Sequence, residues 1–306
     1  MLLELAIGDA YGAGFEYVDR EIIRRWNDLS RYVKHPRHNI RPGSYTDDTQ
    51  MSLAIAEAIV SGEPWNPALL ARKFVEVFQR DPREGYASGF YHFLLNMRDG
   101  EQFLRDIKPD SDKSGAAMRA APIGIYPTIS LVIEHCSIQA ALTHNTPGGI
   151  NAAVAAALMT HYFLYNLGPQ KELGAFLEEH VSGHWNTPWT GTVKSQGWMS
   201  VQAAVTALLR NDTMRDVLKT CIQFSGDVDT VAAIALAAGS CSSEIAQDLP
   251  SHLLDTLENG PYGRDYIRQL DKRLMDCFRA INSEGQGGTE PRAPTLYGPV
   301  KPSRTG

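Results

Sequence analysis

The chain has 306 residues, 43% of them hydrophobic, which is enough to bury a substantial core, and its net charge of −6 without any Lys/Arg cluster argues against nucleic-acid binding. No apolar run approaches the roughly 20 residues of a transmembrane helix, no signal-peptide pattern opens the chain, and the four scattered cysteines are typical of reduced, buried thiols. We therefore expect a cytoplasmic monomer with no membrane or nucleic-acid partner.

Stripes of apolar residues at helical spacing recur along the chain, and no alternating run predicts a strand. The first helix, residues 1–14, carries Gly12 and Gly14, which would let a neighbouring helix pack closely. Gly, Pro, Ser and Thr dominate residues 283–306, which predicts a disordered tail. The pattern predicts an all-α, orthogonal multi-helix bundle over residues 1–282. Further helices are predicted over residues 19–28, 51–60, 67–79, 151–165, 170–182, 198–210, 213–222, 231–238, 242–259 and 263–280.

Two acidic motifs stand at the heads of two predicted helices. The first acidic motif, residues 45–50, reads Tyr-Thr-Asp-Asp-Thr-Gln and places Asp47 and Asp48 at a helix start, with Thr46 as a suitable N-cap. The second acidic motif, residues 225–230, reads Ser-Gly-Asp-Val-Asp-Thr and precedes another apolar run. Acidic residues in a first turn also complement the helix dipole, so either motif alone is compatible with a structural role.

Together the two motifs indicate a cation site. If the fold brings them together, their four carboxylates repel one another, because neither motif contains Lys or Arg, and a bound cation would offset that repulsion. Carboxylate and hydroxyl oxygens suit Mg²⁺, Ca²⁺ or Mn²⁺ and disfavour zinc. Since Mg²⁺ usually keeps several waters, two neighbouring ions explain this number of ligands better than one.

Three segments resemble the signature motifs of the ADP-ribosylglycohydrolase family, which includes the dinitrogenase reductase-activating glycohydrolases. They are Gly8-Asp9-Ala10-Tyr11-Gly12, Thr46-Asp47-Asp48-Thr49 and Gly226-Asp227-Val228-Asp229-Thr230. The resemblance implies the same all-α fold and a pair of Mg²⁺ ions, for which Mn²⁺ could substitute. It implies that the metal ligands or their immediate neighbours are Thr46, Asp47, Asp48, Asp227, Asp229 and Thr230.

Glu16 falls where many family members carry an acidic residue after the first of these segments. The resemblance implies that Glu16 contacts the site as an acid, a base or a gate, and the alternative is a solvated loop charge. The implied catalytic group consists of Glu16, Asp47, Asp48 and Asp229.

Other segments imply contacts with a substrate. Residues 113–124 resemble a family segment whose small residues let backbone N–H groups approach a diphosphate or ribose, which indicates Gly115 and Met118. His144 lies in a Thr-His pair similar to the family's, and the resemblance favours ligand contact over the capping or core role that is usual for a single His. Tyr86 offers an aromatic face for an adenine, whereas for Phe90 core packing is favoured over such stacking.

Two further features receive no role. The spacing of His35 and His38 could suit a metal, but without a Cys or a third His nearby they are predicted to be a surface pair. Residues 184–198 hold three of the five tryptophans and belong either to the core or to a wall of the substrate site.

The resemblance implies a Mg²⁺-dependent hydrolase that cleaves the glycosidic bond between ADP-ribose and a modified protein side chain, arginine or serine, or a small conjugate. Its partner would be ADP-ribose or an ADP-ribosylated protein. Ser225 and Val228 depart from the usual Gly-Gly-Asp-Thr-Asp-Thr motif, although neither removes a carboxylate. Two alternatives stay open: a relative that binds ADP-ribose or serves structurally without catalysis, and a two-metal phosphohydrolase.

Overall fold

The structure is a computed structural model that describes residues 1–284. These residues form an all-α fold, which confirms the predicted fold class, and β pairing within them is confined to isolated bridges such as Val193 with Gly226. Ser283 and Glu284, predicted to begin the disordered tail, still belong to the last helix, and residues 285–306 of that tail lie outside the described residues. Within the described part of the chain, no helix combines the length and the apolar character needed to cross a bilayer.

Fourteen α-helices and three short 3₁₀ helices make up this part of the chain. The 3₁₀ helices cover Ser114–Ala116, Ala121–Ile125 and Gln170–Glu172. The α-helices are α1 (Leu2–Gly12), α2 (Arg20–Trp26), α3 (Asp47–Ser61), α4 (Pro67–Arg80), α5 (Ser88–Leu95), α6 (Gly100–Asp106), α7 (Ile129–Ala141), α8 (Pro147–Leu164), α9 (Leu173–His180), α10 (Gly197–Arg210), α11 (Met214–Gln223), α12 (Val228–Gly239), α13 (Ser251–Thr256) and α14 (Arg264–Glu284).

Helix α12 lies at the centre of the fold, and every one of its residues is buried. It packs against α1, α3, α8, α10 and α11. A helix that is apolar on all sides is the kind that a large core surrounds, and the alanines of α12 leave room for neighbours to approach. The acidic start of α12 is therefore anchored in the buried core.

Helix α1 crosses α12 at very short range because two glycines face it. A Cβ built on Gly8 would lie 2.6 Å from the carbonyl oxygen of Ala232, and one built on Gly12 would lie 2.3 Å from the Cα of Asp229. The expectation of close helix packing at Gly12 is confirmed. At Gly14 the close neighbour is instead the main-chain oxygen of Val33, 2.4 Å from an added Cβ, which belongs to a loop.

The helix predicted over residues 242–259 is wrong for its first half. Only Ser251–Thr256 is helical there. The backbone before it pairs with the loop ahead of α11: the N–H of Ala246 donates to the oxygen of Asp212 at 2.8 Å, and the N–H of Met214 donates to the oxygen of Ala246 at 2.9 Å. These bonds to a distant segment replace the bonds that a local helix would make.

The tryptophans of residues 184–198 divide between core and surface. Trp185 is buried and donates from Nε1 to the oxygen of Val181 at 3.0 Å, whereas Trp198 is 41% exposed. Trp189 packs edge-on against Trp198. None of the three lines the main cleft, to which this loop contributes Ser195. The loop therefore belongs to the core at its start and to the protein surface at its end.

Candidate active site

A cleft of about 550 Å³ opens where α3 and α12 begin. Both acidic motifs reach it, as do the loop of residues 13–19 that carries Glu16, the loop between α4 and α5, and residues 106–118. Among the predicted site residues only Thr46 does not line the cleft. The residues that do line it are Glu16, Asp47, Asp48, Tyr86, Gly115, Met118, His144, Asp227, Asp229 and Thr230.

The start of α3 is held by Asp9, a residue of α1. The carboxylate of Asp9 accepts from the N–H groups of Thr46 and Thr49, at 2.9 and 3.0 Å, and from both of their hydroxyls, at 2.7 and 2.5 Å. Thr46 occupies the predicted N-cap position, but its hydroxyl makes no capping bond because it donates to Asp9. A carboxylate from another helix thus caps α3 and aims Asp47 and Asp48 at the cleft.

The second acidic motif reaches the cleft through a turn with two residues in the left-handed region. Ser225 has φ +62° and Gly226 has φ +93°. Val193 fixes this turn, since its N–H donates to the oxygen of Ser225 at 2.9 Å and its own oxygen accepts from the N–H of Asp227 at 3.1 Å. Asp227 is the N-cap of α12, and Asp229 lies in the first turn.

Carboxylate oxygens of Glu16, Asp227 and Asp229 lie within 4.8 Å of one another. Oδ1 of Asp48 and Oδ1 of Asp229 are buried without any hydrogen-bond partner. Buried acceptors in native proteins are almost always satisfied, so unpaired carboxylate oxygens in an all-oxygen site are the arrangement that a hard cation requires. The residues present therefore fit a divalent metal such as Mg²⁺.

The electrostatics of the cluster lead to the same conclusion. Burial raises the pKa of Glu16 to about 7, and the nearby charges of Asp227 and Asp9 act in the same direction. Burial, reinforced by neighbouring carboxylates, also raises the pKa of Asp47 and of Asp229 well above the usual range. Without a cation, the protein itself disfavours the charged forms of these side chains.

Comparison with known proteins identifies the family to which these features belong. The model of the ADP-ribosylglycohydrolase family matches residues 1–284. The chain belongs to the ADP-ribosylglycohydrolase family. The resemblance seen in the three sequence segments is thereby confirmed.

Several curated proteins are similar to this family member. ADP-ribosylhydrolase ARH3 of Xenopus tropicalis is 30% identical over 190 residues, 58% of this chain and 53% of the relative. The ADP-ribosyl-dinitrogen reductase glycohydrolase of Rhodospirillum rubrum is 25% identical over 284 residues, 89% of this chain and 93% of the relative. ADP-ribosylarginine hydrolase Tri1 of Pseudomonas putida is 25% identical over 76% of this chain and 67% of the relative. The chain thus spans about half the length of the ARH3 relative.

A solved structure described as an ADP-ribosylglycohydrolase-related protein complex has the same fold. It matches with a TM-score of 0.70 at 20% identity, covering 92% of this chain and 96% of that chain. This likeness agrees with the all-α architecture of the family.

The rest of the cleft offers an apolar wall. Tyr86 is buried, lines the cleft and donates its hydroxyl to Oε1 of Gln50 at 2.8 Å. Phe90 also lines the cleft and stacks on Phe93 with ring centroids 5.9 Å apart. The expectation that core packing is the main role of Phe90 is therefore incomplete, because this half-buried ring also faces the cleft. Aromatic rings in such a wall suit the face of a nucleobase.

His144 lies at the end of a buried hydrogen-bonded chain. Arg119 donates from Nη2 to the hydroxyl of Thr143 at 2.8 Å, and that hydroxyl lies 2.7 Å from Nδ1 of His144. Burial, together with the charges of Arg119 and Lys113, lowers the pKa of His144 to about 3, so the ring is neutral. Since Thr143 already accepts from Arg119, it can donate to Nδ1, which leaves the ring proton on Nε2. That nitrogen faces Gly115 at the cleft, 3.2 Å from where a Cβ on Gly115 would lie.

Sequence reasoning missed several residues that shape the site. Asp9 belongs to a quoted segment but received no role, although it holds the start of α3. Ser200 supports the second motif by donating to Oδ2 of Asp227 at 3.3 Å. Lys108 and Lys113 line the cleft and bring positive charge to it. Only Asp9 carried a signal in the sequence, as the one charged residue in the apolar stretch of α1 after Glu4.

The two departures from the usual family motif affect the turn more than the carboxylates. Ser225 adopts a left-handed conformation that glycine reaches without steric cost, and its hydroxyl lies 3.0 Å from that of Thr192. Val228 is fully buried at the start of α12. Both neighbouring aspartates still line the cleft.

We expect the melting temperature of the metal-free protein to fall as pH rises from about 5 to about 7.5. In the unfolded chain the carboxyls of Glu16, Asp47 and Asp229 titrate at about pH 4. Because their pKa values are raised in the folded protein, the stability that they contribute is present below that pH and is lost as pH rises through the folded values. For Glu16 that value is about 7. Thermal unfolding in EDTA and in Mg²⁺ measures the effect, and Mg²⁺ should reduce the fall.

The matched variants are Asp229→Asn and Asp265→Asn. The first removes a buried carboxyl of the cluster and should flatten the pH dependence in EDTA, whereas the second removes an exposed carboxyl and should leave it unchanged. Identical pH profiles for the wild type and Asp229→Asn would contradict this account of the cluster.

We expect Gly226→Ala to destabilise the protein far more than Gly191→Ala does. Both glycines have φ near +100°, at +93° and +102°, but an added Cβ meets nothing within 4 Å at Gly191 and would lie 1.8 Å from the oxygen of Val193 at Gly226. Gly191→Ala should cost about 1–2 kcal/mol through its φ alone. Gly226→Ala should cost roughly 3 kcal/mol or more, because the turn must shift. Denaturant unfolding compares the two, and equal losses would show that the turn can yield.

Proposed function

We propose that this chain is a divalent-metal-dependent ADP-ribosylhydrolase that cleaves the glycosidic bond between ADP-ribose and a modified side chain, arginine or serine, or a small conjugate. The observation that carries the proposal is the convergence of carboxylates from three segments on one cleft, with two buried oxygens unpaired, in a member of this family. Its partner would be ADP-ribose or an ADP-ribosylated protein. The name of the Tri1 relative specifies arginine, which favours testing that linkage first.

The metal site would be formed by Asp47, Asp48, Asp227 and Asp229, with Thr230 beside them and Thr46 behind them. Two Mg²⁺ ions, or Mn²⁺ in their place, would supply charge stabilisation and bind the vicinal hydroxyls of a ribose. The aspartates are held by two helix starts, so they meet a ligand in a preorganised arrangement.

Proton transfer falls to Glu16. Hydrolysis adds the oxygen of water to C1″ of the ribose and breaks the bond from C1″ to the side-chain atom, while one water proton is removed and the leaving group gains one. A carboxyl whose pKa is about 7 can take a proton or give one near neutral pH. Oxygens of Asp227 and Asp229 lie within 4.8 Å of an oxygen of Glu16, which supports a role for this group beside the proposed metal site.

The remaining lining residues would bind the rest of the ligand. Tyr86 and Phe90 would contact the adenine, and Nε2–H of His144 would donate to a ribose or diphosphate oxygen beside Gly115. The same wall includes Met118. The positive charges of Lys108 and Lys113 would offset the charge of the diphosphate.

The deciding experiment incubates the purified protein with arginine-linked and serine-linked ADP-ribosyl substrates and measures released ADP-ribose, in Mg²⁺, in Mn²⁺ and after chelation. Release that depends on Mg²⁺ or Mn²⁺ is the expected result, and zinc alone should not confer it. Full activity after rigorous chelation would refute the two-ion site. Binding of ADP-ribose without hydrolysis would show a non-catalytic relative, and release of phosphate from a base-free sugar phosphate would show a phosphohydrolase.

We expect Glu16→Gln to lower kcat by roughly 10² to 10⁴, the usual contribution of a positioned general acid or base. The substitution keeps the volume and hydrogen-bonding capacity of Glu16 and removes its titration. Affinity for free ADP-ribose, measured by calorimetry in saturating Mg²⁺, should change little, because the diphosphate and adenine are bound elsewhere.

Glu84→Gln is the matched control, since Glu84 is an exposed glutamate near the cleft that does not line it. It should hydrolyse at the wild-type rate. Normal turnover by Glu16→Gln would show that Glu16 is a solvated loop charge without a part in the reaction. Equal losses of ADP-ribose affinity and of kcat would show that Glu16 binds the ligand instead.

A further inference from the structure

His35 is buried, although the polar, proline-containing sequence around it predicts a surface residue. Only 2% of His35 is exposed, whereas the side chain of His38 is 49% exposed. The predicted surface pair is therefore wrong for His35. Its ring lies against that of His38, with the ring centroids 4.2 Å apart and the planes tilted by 37°, and against the loop of residues 13–19, which carries Glu16.

Three hydrogen bonds define the protonation state of His35. Nδ1 accepts from the backbone N–H groups of Arg37 and His38, at 3.0 and 2.9 Å. A ring nitrogen that accepts carries no proton, so the neutral ring has its proton on Nε2. Nε2 lies 2.8 Å from the main-chain oxygen of Glu16, which can only accept. The ring therefore donates to Glu16 and has no nitrogen left for a metal.

The backbone of Glu16 and Tyr17 is clamped between this turn and the second acidic motif. The N–H of Tyr17 donates to the oxygen of Gly226 at 2.9 Å, and the oxygen of Tyr17 accepts from the guanidinium of Arg37. Tyr17 has φ +48°, an unfavourable conformation for a residue other than glycine, so the loop depends on such bonds. The bond from His35 reaches the main-chain oxygen of Glu16 itself, and Nε2 of His38 lies 3.9 Å from Oε2 of the same residue.

We propose that His35 is a positioning residue that, as a neutral ring donating from Nε2, fixes the backbone of Glu16 and so holds its carboxylate beside Asp227 and Asp229. The proposal rests on the proposed function, in which Glu16 transfers protons. Loss of the bond frees the Glu16 carbonyl to turn toward water and lets the carboxylate leave its place in the cluster. The effect on the reaction passes entirely through Glu16.

Two substitutions separate the two sides of the ring. In His35→Gln the side-chain amide N–H takes the place of Nε2 and keeps a donor for the oxygen of Glu16. In His35→Asn the side-chain oxygen takes the place of Nδ1 and keeps the acceptor, but the donor to Glu16 is lost. We expect His35→Asn to lower kcat by about 10- to 100-fold, as is usual for residues that orient a metal-site group. His35→Gln should lose clearly less. Equal losses in the two variants would overturn the proposal.

A double-mutant cycle with Glu16→Gln distinguishes positioning from a general structural effect. If His35 acts through Glu16, His35→Asn should reduce kcat in the wild type and add little in the Glu16→Gln background. The same fold-reduction in both backgrounds would overturn the proposal. His252→Asn is the control, because Nε2 of His252 also lies 2.8 Å from a main-chain oxygen, that of Leu29, away from the cleft. It should leave kcat unchanged.

Nitrogen-15 NMR of the histidine rings tests the proposal without turnover. His35 should show the pattern of a neutral ring protonated at Nε2, and a proton on Nδ1 would overturn the assignment. If the wild type hydrolyses no ADP-ribosyl substrate, the proposed function fails. The inference is then decided by this spectrum together with the Mg²⁺-induced rise in melting temperature, which His35→Asn should reduce and His252→Asn should not.

Discussion

The repulsion among buried carboxylates is the constraint on which the rest of this structure depends. Asp47, Asp48, Asp227 and Asp229 face one cleft, and within residues 1–284 none of them forms an ion pair with a Lys or Arg side chain. Burying charge without a partner is costly. The positive ends of α3 and α12 offset part of that cost, since each pair of aspartates lies at a helix start. The unpaired oxygens of Asp48 and Asp229 are what a bound cation would satisfy.

Such a cluster requires a scaffold that does not relax, and α1 provides much of it. Gly8 and Gly12 bring α1 against the backbone of α12, and Asp9, between them, caps α3 through four hydrogen bonds. One helix thus fixes the distance between the two acidic motifs. A side chain at Gly12 would displace Asp229 directly. The geometry of the site therefore depends on the close packing of α1 against α12.

The sequence was informative wherever the governing forces are local. Helical periodicity predicted most of the bundle, and the acidic residues at two helix starts predicted which side chains would meet. The roles of Asp9 and His35 were not predicted because their partners, Thr46 and Glu16, are distant in sequence. A hydrogen bond between separate segments leaves no periodic signal in the sequence. The same reason explains the loop before α13, whose backbone bonds go to residues 212–214.

The carboxylates of the cleft differ in how they are held, and this difference bears on their roles. The aspartates sit at the starts of α3 and α12, so displacing their backbone would disturb the bonds that Asp9 makes to the start of α3 and the packing of the buried helix α12. Glu16 sits on a loop that is tied by individual hydrogen bonds from His35 and to Gly226. Such a loop can move without unfolding a helix. Under the proposed function, the aspartates at the helix starts would hold the cations, while Glu16, on a loop tied by individual hydrogen bonds, would exchange protons or admit the substrate.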